Sequence, residues 1–154
     1  MNLAGARARA WRLALALCGV IVAADQGAKA AIEAGLVPGE RVDVLPGLQF
    51  TNVHNEGIAF GLAGGGGDLL VVLTLTALGL ILVLFAQNAT RPGIWVAVGL
   101  LAGGAFGNLA DRIRIDSVTD FIELPVWPAF NLADITIVLG VAGLALVFME
   151  EREG

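Results

Sequence analysis

"LLVVLTLTALGLILVLFAQNAT" runs from Leu69 to Thr90, 22 residues without a charge. A hydrocarbon core of about 30 Å needs roughly 20 mostly apolar residues wound as a helix. This stretch is therefore long enough to cross a bilayer once. Past Arg91, "PGIWVAVGLLAGGAFGNLA" supplies 19 more uncharged residues before Asp111. "FNLADITIVLGVAGLALVF" (Phe130–Phe148) is a further span, interrupted only by Asn131 and Asp134 near its start. Towards the N-terminus, "LALALCGVIVAA" (Leu13–Ala24) is shorter and is flanked by Arg12 and Asp25.

The composition agrees. Of 154 residues, 57% are hydrophobic and 15% charged, and the mean hydropathy is +0.82. A soluble domain of this size could not hide so much apolar surface. The expectation is an all-α integral membrane protein of one domain, residues 1–154. Its spans fall at about 11–31, 69–89, 92–111 and 128–149. The net charge is −5, with no Lys/Arg cluster suited to nucleic acid. One cysteine, Cys18, excludes an internal disulfide and a two-cysteine relay. One histidine, His54, argues against a histidine-rich metal site. Ser117 is the only serine, so a Ser117/His54 pair is the one serine-protease arrangement that counting leaves open.

The first span resembles a secretory leader, with Arg7, Arg9 and Arg12 before a short apolar run. Small and apolar residues continue through "GAKAAIEAGL", however, which favours a retained helix. Cys18 reads as a packing or lipid-facing residue, because Leu17 stands where a lipid-attachment box wants a small side chain. Charges flanking the first helix usually decide orientation, which puts both termini in the cytoplasm. Eleven of the fourteen acidic residues then face outward.

Between the first two spans, "RVDVLPGLQFTNVHN" alternates apolar and polar residues around a Pro-Gly turn. That period-2 pattern predicts a small β-hairpin, within a β region of about 38–62. Gly64–Gly67 reads as a flexible return into the second span.

Ionisable and amide side chains gather at the outer helix ends, where an unpaired charge is expensive and therefore informative. The third span ends in "GGAFGNLADRIR". Gly103, Gly104 and Gly107 there allow a neighbouring helix to approach closely. Asn108 and Arg112, four apart, share one helix face. In "VTDFIELPVWPAFNLAD", Pro125 and Pro128 break the helix, Trp127 suits the membrane interface, and the turn can bring Asp120 and Asp134 together. Two carboxylates sharing a site hold one proton between them and can act as general base and general acid. The same positions would also suit a structural aspartate cap at each helix start.

Four stretches, read in order, resemble the family of bacterial lipoprotein signal peptidases, also called signal peptidase II. "DQGAKA" (Asp25–Ala30) is similar to the family's D-Q-x-x-K element. "NVHNEGIAFG" is similar to its N-x-G-x-A-F-G stretch, through Asn55, Gly57, Ala59, Phe60 and Gly61. "GGAFGNLADR" is similar to G-G-A-x-G-N-x-x-D-R, and "VTDF" with "FNLAD" to the two catalytic aspartate motifs.

The resemblance implies an aspartic endopeptidase that removes the signal peptide from diacylglyceryl-modified prolipoproteins, cutting before the lipidated cysteine. It implies Asp120 and Asp134 as the catalytic pair. Asn55, Gly57, Asn108, Arg112 and Asn131 would line the site, with Asp25, Lys29 and Asp111 as supporting polar partners. The outer hairpin would be the family's periplasmic β-cradle. No metal or organic cofactor is implied, and the partners are prolipoprotein substrates and membrane lipids, with the chain a monomer. The expected location is the bacterial inner membrane, multi-pass, with the site on the periplasmic side.

Two departures stand out. Asp116 occupies a position that is usually Gly in the family, four before Asp120, and the inter-aspartate loop is short. Asp tolerates a left-handed turn, but an extra carboxylate there could raise the pair's pKa values. A proton- or cation-coupled four-helix transporter would also use membrane carboxylates, though more often near mid-span. A non-catalytic assembly protein would keep the glycine faces without needing both aspartates.

Overall fold

The computed structural model describes residues 2–57 and 66–149. Helix α1 spans Leu3–Gly35, longer at both ends than the expected 11–31. Its start is fixed by Asn2, whose side-chain oxygen accepts from the Gly5 N–H at 2.8 Å. The Ala/Arg-rich turns that follow are strong helix formers. At about 1.5 Å per residue, such a helix is about 50 Å long and outreaches the hydrocarbon core. Ala10 and Ala14 are buried in the core, so the segment that mimics a leader is part of the fold.

Helices α2 (Gly66–Asn88) and α3 (Ile94–Ile115) follow, joined by a turn in which Gly93 caps α3 at φ 77. Helix α4 runs Leu132–Met149. All four are long and apolar enough to cross a membrane. Helix α3 is the central one: 72% of its most apolar stretch is buried, against 11%, 11% and 17% for α1, α2 and α4.

The glycines of α3 explain how its neighbours come so close. A Cβ at Gly103 would meet Ile21 and the carbonyl of Cys18 on α1, whereas one at Gly104 would meet the Ala133 carbonyl and Thr136 on α4. The expected small-residue face is thus two faces, one for each neighbour. At one end of the bundle, Phe85, Ile94, Val98, Ala10 and Ala14 form an apolar core. Trp11 stacks obliquely on Phe85 at 4.6 Å.

At the other end sits a four-stranded antiparallel sheet of order β1-β2-β3-β4. Strands β1 (Arg41–Leu45) and β2 (Leu48–Asn55) form the expected hairpin between the first two spans. Strands β3 (Val118–Leu124) and β4 (Trp127–Phe130) were not expected. They form the link between the third and fourth spans, read from the sequence as a turn at the membrane surface, and they move the start of the last helix from about 128 to Leu132. The prolines misled: Pro125 occupies the β3–β4 turn, and Pro128 lies on an edge strand, where a missing N–H costs little. Strands β2 and β3 pair in the register Val53↔Asp120, His54↔Thr119, Asn55↔Val118. The sheet is thus assembled from two loops more than sixty residues apart, and that pairing carries Asp120 to the bundle.

Candidate active site

Polar side chains buried at the sheet end of the helix bundle form one connected network. Asp120, on β3, is almost fully buried. Its Oδ2 accepts from Asn55 Nδ2 at 2.9 Å and its Oδ1 from Asn131 Nδ2 at 2.7 Å. Asn55 is oriented in turn by Gly57, whose N–H donates to Asn55 Oδ1 at 2.9 Å. Gly57 holds φ 72, a conformation that strains other residues, and a Cβ there would also have to displace Leu70 Cδ1.

Asp134 lies in the first turn of α4. Its Oδ2 accepts from the Asn131 backbone N–H at 3.1 Å, while Asn131 Oδ1 accepts from the Asp134 N–H at 3.0 Å. This is a reciprocal cap, which satisfies backbone donors that a helix start leaves free. The capping alternative for Asp134 is therefore real, yet it uses one oxygen only. The other, Oδ1, accepts from Asn108 Nδ2 at 2.8 Å. Asn131 is the hinge of the arrangement: it caps Asp134, grips Asp120, and donates to Asn108 Oδ1 at 3.1 Å.

Beneath the two aspartates is a buried ion cluster. Lys29 Nζ stands 2.8 Å from both Asp25 Oδ2 and Asp111 Oδ2, all three side chains inaccessible to solvent. A buried charge is tolerated only when paired and hydrogen-bonded, and each here is. Lys29 also donates to Asn108 Oδ1 at 3.0 Å, which fixes the amide so that its Nδ2 faces Asp134. Asp111 Oδ2 accepts from the Thr119 N–H on β3, and Asp25 Oδ1 from the Ala133 N–H on α4. The cluster thus ties α1 and α3 to the two elements that carry the aspartates.

Sequence reasoning did not assign Gln26, Glu33 or Thr119. Gln26 Nε2 donates to Asp111 Oδ1 and to the Gly107 carbonyl. Thr119 Oγ1 donates to Glu33 Oε1 at 2.7 Å. Gln26 and Thr119 could have been found, since they sit inside the quoted "DQGAKA" and "VTDF"; Glu33 lies outside the stretches that carry the resemblance.

Arg112 projects from the last turn of α3, half-buried, with Nη1 at 3.4 Å from the Asn108 carbonyl. Its charge is close enough to act on Asp134, Asp120 and Asp111, but it makes no ion pair with them among the described residues. Burial pushes the Asp120 carboxyl up to about 6, and the neighbouring Asp134 charge raises it too; amide donation from Asn55 and Asn131 and the Lys29 charge oppose this. Asp116 takes the left-handed conformation (φ 56) that closes α3. It is exposed, and the charges acting on Asp120 are those of Asp134 and Lys29 rather than its own. The expected influence of Asp116 is thus not seen at Asp120. Ser117 donates to the Ile115 carbonyl, and His54 is exposed opposite Thr119, so no Ser117/His54 pair forms. Ala59, Phe60, Gly61, Gly64 and Gly65 lie outside the described residues.

Of the ten side chains and glycines expected at the site, all are in or against this network. Such a pair of carboxylates, one with its pKa pushed up to about 6, can hydrolyse an amide through an activated water.

Comparison with known proteins points the same way. Residues 17–150 match the family described as Signal peptidase (SPase) II. A protein of Pelotomaculum thermopropionicum named lipoprotein signal peptidase is 38% identical over 136 residues, covering 87% of this chain and 90% of its own length. One of the same name from Dehalococcoides mccartyi is 39% identical over 142 residues, 87% and 86% of the two chains. The fold superimposes with a TM-score of 0.81 on a bacterial membrane enzyme solved by the in meso method at 2.3 Å, 28% identical, covering 90% and 88% of the chains.

Proposed function

Given that the chain belongs to the signal peptidase II family of aspartic peptidases, we propose that it cuts lipid-modified prolipoproteins just before the lipidated cysteine, with Asp120 and Asp134 as the catalytic pair. The single observation that carries the assignment is the side chain of Asn131, bonded to Asp120 at 2.7 Å while it caps Asp134. It brings carboxylates from a strand and a helix, fourteen residues apart, into one hydrogen-bonded unit.

The division of labour follows from the surroundings. Asp120, buried and raised to about 6, is the member that holds the shared proton. It polarises the scissile carbonyl and then passes the proton towards the leaving amine. Asp134 takes a proton from the attacking water. Asn55, Asn131 and Asn108 hold the two carboxylates in register, and Arg112 offers guanidinium donors to a substrate or intermediate oxygen.

An even number of crossings puts both termini on one side and both site-bearing loops on the other. We read the site side as periplasmic and the termini as cytoplasmic, from the arginines before the first span, and the working unit as a monomer among membrane lipids. A transporter is not supported: the ionisable groups lie at the outer helix ends, and the relatives are peptidases. The test is direct. Purified protein in detergent should shorten a diacylglyceryl-modified prolipoprotein and leave the unmodified precursor whole; an intact lipidated substrate would overturn the reading.

A further inference from the structure

The strand that carries Asp120 is irregularly paired on both sides. Between Phe50↔Ile122 and Val53↔Asp120, Thr51 and Asn52 of β2 face the single residue Phe121. Between Ile122↔Phe130 and Leu124↔Trp127, Pro128 and Ala129 of β4 face the single residue Glu123. A bulge disrupts the ladder and bends its strand, so the sheet alone does not fix how far β3 stands from the helices. A closed ring of hydrogen bonds does, at the residue directly before Asp120. Thr119 donates twice, its N–H to Asp111 Oδ2 at 3.2 Å and its hydroxyl to Glu33 Oε1 at 2.7 Å. Arg114 Nη2 closes the ring by donating to the same two carboxylates, to Glu33 at 3.3 Å and to Asp111 at 3.4 Å. Thr119 is fully buried. Successive side chains of a strand point to opposite faces, so the ring lies on the face of β3 away from the Asp120 carboxyl.

Asp25, Lys29 and Glu33 follow one another at four-residue spacing and share a face of α1. Asp25 accepts from the N–H of Ala133, directly before Asp134, and Glu33 from the hydroxyl of Thr119, directly before Asp120. The two grips are eight residues apart, about 12 Å along a helix axis. One rigid helix face thus holds both elements that carry the aspartates. We propose that Glu33 is a positioning residue for the peptidase reaction: by gripping the Thr119 hydroxyl it sets the stand-off of β3 from α1, and with it the spacing of Asp120 and Asp134. The inference rests on the pair assignment above. The Asp111 bond reaches a backbone N–H that any residue but proline would supply, whereas the Glu33 bond needs the hydroxyl that position 119 holds. A hydroxyl donating to a carboxylate at 2.7 Å is of the stronger, charge-assisted kind.

The test uses the purified full chain in detergent and a diacylglyceryl-modified lipopeptide, with kcat and KM read separately, well below each variant's unfolding midpoint. Thr119→Val keeps the shape and removes the hydroxyl; Glu33→Ala removes its acceptor. Each should lower kcat at least about tenfold, since misplacing a reacting group by about 1 Å is enough for about a hundredfold. KM should stay within about twofold, because neither side chain meets substrate. Thr119→Ser restores the donor and should return kcat close to wild type. The double variant should be no slower than the slower single one, as both cut the same link. Glu123→Ala, which breaks the ion pair with the exposed Arg41 farther along β3, is the control and should keep kcat. Should Thr119→Val fail to fold, Glu33→Ala, at a partly exposed position, decides alone. Variants that lose only unfolding midpoint and keep kcat would overturn the proposal and leave the ring as scaffolding. A Thr119→Ser as slow as Thr119→Val, or a control that slows as much, would overturn it too. Failure of the pair assignment looks different: Asp120→Asn would then keep wild-type turnover.

Discussion

Asp25 Oδ1 accepts a 3.0 Å hydrogen bond from the Ala133 backbone N–H, across 108 residues of chain. The carboxylate that neutralises Lys29 thereby also holds the start of α4, one residue before Asp134. Asp25→Ala would remove half the compensation of a fully buried ammonium and strand a backbone donor. Breaking a buried pair from one side costs about 3–5 kcal/mol. Thermal unfolding in detergent should show a large drop for Asp25→Ala and a smaller one for Asp25→Asn, which keeps an acceptor. Unchanged midpoints would mean the cluster does not hold the fold.

Asp120→Asn and Asp134→Asn should each lower turnover more than about a thousandfold, because the amide can neither take nor give the proton; the double variant should be scarcely worse, since the groups act as a unit. Both oxygens of each carboxylate receive an N–H donor. An amide at either position must turn its own NH₂ towards one of them. Each variant should therefore also lose about 1–2 kcal/mol of stability. Activity that survives in either single variant would remove the aspartic mechanism.

The pH dependence has a defined sign. Asp120 holds its proton up to about 6, above the 3.8 of a free aspartate. The folded state thus binds this proton more tightly than the unfolded chain. Its contribution to stability is full at acid pH and is lost as pH rises towards 6. If the protonated form is the active one, kcat/KM of the free enzyme falls on the alkaline side of about 6. Asn55→Ala removes a donor that favours the ionised form, so the falling limb should move to higher pH. A limb moved to lower pH would exclude Asp120 as proton holder.

Arg112→Lys keeps the charge near the pair and loses the planar fork of donors. Activity should fall at least tenfold while the unfolding midpoint stays close to wild type, since the described structure gives Arg112 only one long bond to the Asn108 carbonyl. Wild-type turnover would make Arg112 a simple interfacial anchor.

Orientation can be read with single cysteines after replacement of Cys18. Val126, fully exposed in the β3–β4 turn, reports the site side, and Ala4, exposed on α1, the opposite one. In intact spheroplasts an impermeant thiol reagent should label Val126→Cys and spare Ala4→Cys. The reverse pattern would invert the protein.

The spans were legible because a bilayer crossing is written as one unbroken apolar run, and the 22 uncharged residues after Asp68 leave no other reading. The first hairpin was legible from alternation around Pro46–Gly47. Strands β3 and β4 were not, since Pro125 and Pro128 signal interruption without saying whether a turn or an edge strand results. Asp120, Asp134, Asn108 and Asn131 could be picked out as residues that do not belong near a hydrophobic span. Their connections could not: a bond such as that from Gln26 to Asp111, 85 residues apart, leaves no local trace.

The β2–β3 seam has a bearing on biosynthesis. Strand β2 emerges from the ribosome with the first span, and β3 only after α3 has been made. Until the third crossing is complete, Asn55 has no Asp120 to bind, and until α4 follows there is no Asn131 or Asp134. Pairing between such distant segments is late and slow by nature. A nascent chain therefore sits in the membrane among the secreted precursors as a bundle without chemistry. With Asp120 and Asp134 as the proposed pair, cutting power would arrive all at once with the final helix, a delay built into the order of synthesis.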